Sequence, residues 1–230
     1  MPGDSREDAP NPGLISVGDA VKRIVRNEMD RRRIGAWNWI AAFFYNPAQR
    51  EEALGNWEGF WGSLIFLEQM NLVSRQLGDV PEKPDADTIA RDLDEAKRLG
   101  RLPVFSETAL LQPEALTIRD DPVRRPLLER YGQLGGGFSF QYPELADTIS
   151  AEASFFQALI AQGATDREQA RFFFAHLRPL GYASAKALET ATANEGVRRI
   201  AFGIRLALMS DESLFKNGFT GRPACTTSLN

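Results

Sequence analysis

The stretch from Thr165 to Met209 reads TDREQARFFFAHLRPLGYASAKALETATANEGVRRIAFGIRLALM, and its period decides the fold class. Thr165 and Glu168 have the spacing of a capping box. In that motif the N-cap hydroxyl accepts from the N3 amide and the N3 carboxylate accepts from the N-cap amide. The helix that opens here is expected to end at Pro179-Leu180-Gly181, since proline lacks an amide hydrogen and glycine leaves the helix easily. Ser184 is then expected to cap the last long helix, running to Met209. Val197, Ala201, Ile204 and Leu208 recur at steps of three and four, which puts one apolar stripe against a core.

The same signals continue upstream. Pro143 suits the first turn of a helix running to Gln162 and closed by Gly163. A short helix is expected around Val123–Tyr131, followed by a flexible joint at Gly135-Gly136-Gly137. Residues 101–121 show no sustained period and contain Pro103 and Pro113. Thr88 to Leu99 reads as a charged helix closed by Gly100, after a Pro/Asp-rich linker from Val80 to Asp87. Ala48 to Leu77 reads as one long helix with the stripe Leu54, Trp57, Trp61, Leu64, Ile65 and Leu72, and Gly78 as its C-cap. Ile34 to Tyr45 reads as a helix stopped by Asn46-Pro47. Another starts at Ser16 and keeps Val17, Val21, Ile24, Val25 and Met29 on one face, with Lys22, Arg23 and Arg26 on the other.

No segment alternates with period two over strand length and no repeat recurs at a fixed period. The expected fold is all-α, a bundle of roughly six to eight helices. Residues 1–13 and 217–230 are expected to be loose tails around a single helical domain over 14–216, with a subdomain joint possible at 132–138.

Composition narrows the chemistry. The chain has 230 residues, a net charge of −4, one histidine and one cysteine. A dominant nucleic-acid role is disfavoured, because phosphate contacts need concentrated Lys and Arg. One cysteine forms no internal disulfide, so a reducing, cytoplasmic location is expected. MPGDSREDAPNPG has no apolar core of a secretory signal. Arg31-Arg32-Arg33 ahead of the apolar run Ile34–Tyr45 suggests an interfacial membrane segment, but Asn38 interrupts it and it is too short to span a bilayer. A di-iron bundle needs two Glu-x-x-His motifs and a zinc site several His or Cys ligands, so no metal site is expected. Gly135-Gly136-Gly137 lacks the Lys-Ser/Thr of a P-loop. The acidic pairs Asp92-x-Asp94 and Asp120-Asp121 sit among arginines and lysines and read as solvated helix faces.

The remaining candidates are partner- or ligand-binding. Asn56-Trp57-Glu58-Gly59-Phe60-Trp61-Gly62 puts Gly55, Gly59 and Gly62 on one helical face beside Trp57 and Trp61. Each glycine costs the helix about 1 kcal/mol relative to alanine, which suggests close approach. The neighbour is either another helix of the same chain, Gly196 and Gly203 offering a matching face, or a partner or apolar ligand. Phe173, His176 and Arg178 form the second cluster. His176 reads either as a helix-end histidine bonded to backbone or as an axial ligand to haem or another pigment. Arginine recurs at 31–33, 119, 124, 125, 130, 198, 199 and 205. Most of these are expected to pair with carboxylates, and the rest suit a protein-partner surface. No catalytic residue is assignable. The leading expectation is a non-catalytic helical interaction protein, an adaptor, assembly factor or complex subunit, with another protein or a second copy as partner. The alternatives are a bundle that binds an apolar ligand or pigment, and a metal-free enzyme using Glu58 or Glu68 as acid.

Overall fold

The computed structural model describes residues 17–70, 72, 77–111, 123–133 and 146–218, with side chains from Ala20 onward. The expected tail at 1–13, residues 219–230 of the expected tail 217–230, the glycine triplet, Ser16, Pro113, Asp120-Asp121, Pro143, Arg119 and Cys225 lie outside them, whereas Asn217 is the last residue of a helix. The described chain is all-α. In order, α1 is Val17–Tyr45, α2 Pro47–Gly55, α3 Trp57–Gln69, α4 Ala86–Arg98 and the single turn α5 Glu107–Leu110. There follow α6 Arg124–Gln133, α7 Ile149–Ala161, α8 Asp166–Phe172, a π-helical turn Phe173–Leu177, α9 Arg178–Ala191 and α10 Glu195–Asn217. Since α8, the π turn and α9 form one continuous rod, the described chain has eight helices besides α5. The only β contact among the described residues is a bridge between Ser106 and Thr148.

Several boundaries differ from the sequence reading, each for a physical reason. The two N-terminal helices are one 29-residue rod. Arg31-Arg32-Arg33 does not interrupt it, because Arg31 and Arg32 pair with Glu28 one turn back and Arg33 turns inward. Its first turns are less buried than their period suggested: Val21 is 52% and Ile24 67% exposed. The long helix over 48–77 is two helices broken at Asn56, whose amide bonds back to the carbonyls of Glu52 and Ala53. The second of them stops at Met70, so Gly78, although left-handed at φ 61°, is not its cap. Gly100 and Gly163 do close α4 and α7 with φ of 67° and 72°.

The C-terminal boundaries are shifted as well. The capping box of Thr165 and Glu168 is formed. Pro179 nevertheless ends nothing, because the chain widens ahead of it. The Arg178 amide donates to the Phe173 carbonyl, five residues back, and the π turn accommodates the proline ring that would clash with a carbonyl four residues earlier. The helix therefore runs on to Ala191, Ser184 is buried within it, and the last helix starts at Glu195 under the Asn194 cap.

One core cluster draws on helices from both sides of the glycine triplet. Its axis is the seam where α1 lies along α7, flanked by α2, α3 and the α9–α10 pair. Trp39 stacks between Phe43 and Phe60, at ring-centroid distances of 5.4 and 4.1 Å, and its indole donates to the Ala53 carbonyl. Trp37 packs edge-on against Phe156 at 5.6 Å. Truncating such a buried aromatic to alanine costs about 3–5 kcal/mol. At the α1–α10 crossing lies a buried polar knot. Arg33 bonds to Asp211, to Asp30 at 2.9 Å and to Gln169 at 2.9 Å, and Trp37 donates to Asp211 at 2.6 Å. Phe156 and Phe215 lie against the guanidinium at 5.7 and 5.4 Å. Removing only one charge of such a pair strands the other.

No helix among the described residues is long and apolar enough to cross a membrane.

Candidate functional site

The chemistry-bearing residues gather where α5, α6, α7 and the π turn meet. The bridge makes this junction: the Glu107 amide donates to the Asp147 carbonyl at 2.8 Å and the Ile149 amide to the Phe105 carbonyl at 3.0 Å. Ser106 caps α5 and Thr148 caps α7, so both helices start at the bridge. That geometry buries Glu107, Asp147 and, one turn into α7, Glu152.

The three carboxyl groups have different surroundings. Asp147 accepts from the Thr108 amide at 2.9 Å, from the Thr108 hydroxyl and from Arg124 Nε at 2.9 Å. Glu107 Oε2 faces His176 Nδ1 at 3.2 Å. Glu152 is fully buried beside the Glu107 carboxyl, and no donor reaches either of its oxygens among the described residues. Burial, and then the neighbouring Glu107 and Asp147 carboxyls, push its proton affinity well above the ordinary glutamate range. Tyr131, whose hydroxyl donates to the Ala146 carbonyl at 2.8 Å, is pushed up by burial and then by the Glu152, Glu107 and Asp147 carboxyls. The junction therefore sets Glu152, whose burial favours the protonated form, beside Asp147, which Arg124 pairs. No three of these groups are placed to hold a metal ion among the described residues.

His176 links this junction to the surface. It sits on the π turn, and its side chain is 21% exposed. On one side it meets Glu107, and its ring lies 5.3 Å from that of Phe172. Phe172 in turn carries the Arg130 guanidinium at 5.6 Å from its ring centre. The bonding of His176 is thus to a carboxylate, not to backbone as its place near a helix end suggested. Phe173 is buried between Phe156 and Phe215 and belongs to the core. Arg178 lies at the surface and holds Glu212 through two bonds of 3.0 and 3.1 Å.

The solvent side of this rod is distinctive. Arg167 and Arg171 are exposed, Phe174 is 38% exposed, and the Arg178 side chain is 40% exposed. Neither Arg167 nor Arg171 forms an ion pair among the described residues. Phe174 is kept in place by edge contacts with Phe173 at 5.3 Å and Phe215 at 6.2 Å.

The tryptophan patch stands elsewhere. Trp57 is 1% and Trp61 3% exposed, both within the core and not walls of an open groove. The Trp57 indole donates to the Pro81 carbonyl at 2.7 Å. A Cβ at Gly59 would meet the Asn56 side chain of its own helix–helix break, whereas Gly55 and Gly62 face nothing within 4 Å. The glycine face of α3 does not meet α10 either: Gly203 receives the Phe60 ring and Gly196 receives Pro84 and Ile89. Glu58 is exposed and Glu68 accepts from the Leu77 amide at 2.9 and 3.0 Å, so neither is an acid in an apolar pocket.

Comparison of the chain with protein-family models, with curated proteins and with solved structures finds no match.

Proposed function

We propose that this chain is a non-catalytic interaction module, an adaptor, assembly factor or complex subunit, and that its docking face is the solvent side of α8, the π turn and the start of α9. The observation that carries the proposal is the row Arg167, Arg171, Phe174 and Arg178, an aromatic side chain held rigid among guanidinium groups. Aromatic and arginine side chains dominate binding energy at protein interfaces. Arg167 and Arg171 lack carboxylate partners among the described residues, so charge complementarity selects a polypeptide partner that presents acidic groups around an apolar pocket.

The test is native mass spectrometry of the full chain purified from its own source, with Phe174→Ala alongside. A second polypeptide bound to the parent chain and lost from Phe174→Ala, with the helical circular dichroism unchanged, supports the proposal. A bare chain at the sequence mass overturns it. A small fixed excess mass would instead favour the apolar-ligand alternative.

A further inference from the structure

Arg130 is in an unusual position for an arginine in an acidic protein. Its guanidinium lies over the Phe172 ring, 5.6 Å from the centre, and is partly withdrawn from water. Burial and the nearby charge of Arg171 both disfavour its charged form, and no carboxylate offsets them among the described residues. Its helix neighbours are satisfied differently: Arg124 holds Asp147 at 2.9 Å and Arg125 holds Glu129 at 3.4 Å. Arg171, the residue before Phe172 on α8, is near enough to Arg130 for the two charges to repel, and neither guanidinium is paired with a carboxylate among the described residues. The His176 ring, tilted at 35° to Phe172 and 5.3 Å away, lies against the same ring.

We infer that Arg130, held over Phe172, and Arg171, its exposed neighbour on α8, form a seat for a carboxylate of the partner polypeptide. The inference rests on the interaction reading above, and Arg171 belongs to both the seat and the docking face. A planar guanidinium stacked on an aromatic ring keeps its edge donors free and pre-oriented, which suits a planar carboxylate. Separate carboxylates of single charge along a peptide fit better than a polyphosphate chain. The Glu107 carboxyl lies directly behind His176, and Glu168 and Glu129 stand three residues before Arg171 and one before Arg130 in the chain. The chain's net charge of −4 also repels polyphosphate chains.

The lone histidine is the reporter, because the whole chain yields one imidazole signal. The full chain is titrated with a hexaglutamate peptide, and separately with inorganic phosphate, while the His176 ring resonances are followed by NMR. Saturable shifts with hexaglutamate are expected, weakened about tenfold or more in both Arg130→Gln and Arg171→Gln. Arg125→Gln, which removes the same charge from α6, is expected to bind like the parent. Arg171 is exposed, so its variant keeps the test valid if Arg130→Gln disturbs packing. The inference is overturned by absence of saturable shifts, by equal weakening in all three variants, or by phosphate binding as tightly as the peptide. The two readings fail separately. A partner that stays bound to Arg171→Gln in native mass spectra overturns the seat and leaves the interaction module standing, whereas a bare parent chain overturns the module.

Discussion

At the scale of single residues, the fold buries ionisable groups under opposite regimes. Glu152 receives no hydrogen bond from a donor among the described residues, and burial raises its proton affinity. Above the ordinary glutamate range the folded chain therefore holds one proton more than the unfolded chain, and stability falls as pH rises towards the raised folded value. Glu152→Gln keeps the shape and removes this proton. Its advantage over the parent should grow by up to about 1.4 kcal/mol per pH unit above pH 5, measured by urea unfolding at stepped pH. A constant difference would show that Glu152 ionises normally. Arg33 and Asp211 are the paired counterpart. Arg33→Leu should cost about 3–5 kcal/mol, because Asp211 is left charged or forced to protonate in the core, and adding Asp211→Leu should restore a large part of it. Neither environment was legible from composition. Glu152 lies in a run that reads as ordinary apolar helix, and its neighbours Glu107 and Asp147 arrive through the Ser106–Thr148 bridge, a contact without local period. His176, by contrast, was conspicuous because it is the only one, though its carboxylate partner sits 69 residues away in the chain.

At the scale of elements, cap and proline signals each succeeded in part: Asn46-Pro47 ends α1 as read, whereas Gly78 and Ser184 cap nothing. Thr165 with Glu168, Gly100 and Gly163 mark boundaries that the structure contains, since each acts on backbone groups within a few residues. Pro179 suggested a stop that a π turn removes, and no local rule says when a chain will widen instead of ending. Asn56 broke a helix whose apolar stripe continues through the break, so period alone joined α2 and α3. The glycines divide the same way. Gly203 admits the Phe60 ring, whose Cε1 atom a Cβ would meet at 2.6 Å, so Gly203→Ala should cost about 1–3 kcal/mol. Gly62 sits within α3, and a Cβ there would have nothing within 4 Å, so Gly62→Ala should gain about 0.5–1 kcal/mol. Thermal unfolding of the two variants checks both signs at once. If Gly203→Ala is neutral, the α3–α10 contact is looser than its distances imply.

At the scale of the whole molecule, the all-α class was legible because helical periods and caps are written locally, while the site was not, because it is assembled from α5, α6, α7 and the π turn. One apolar cluster joins helices from both halves of the chain. Unfolding followed by tryptophan emission and by the His176 imidazole should therefore give coincident urea transitions. Separated midpoints would mean that the α1–α3 and α8–α10 regions unfold as distinct units. The placement of the indoles has a further consequence. All four tryptophans lie on α1 and α3, at positions 37, 39, 57 and 61, and all are buried. Red-edge ultraviolet excitation, which tyrosine does not absorb, thus samples only α1 and α3: that emission belongs to a dry aromatic interior, and the arginine-lined rod, which carries no tryptophan, is dark to it. A tryptophan introduced in place of Phe174 would be the one water-facing emitter, selectable at the red edge of excitation and able to report a docking event that the native fluorophores would pass over in silence.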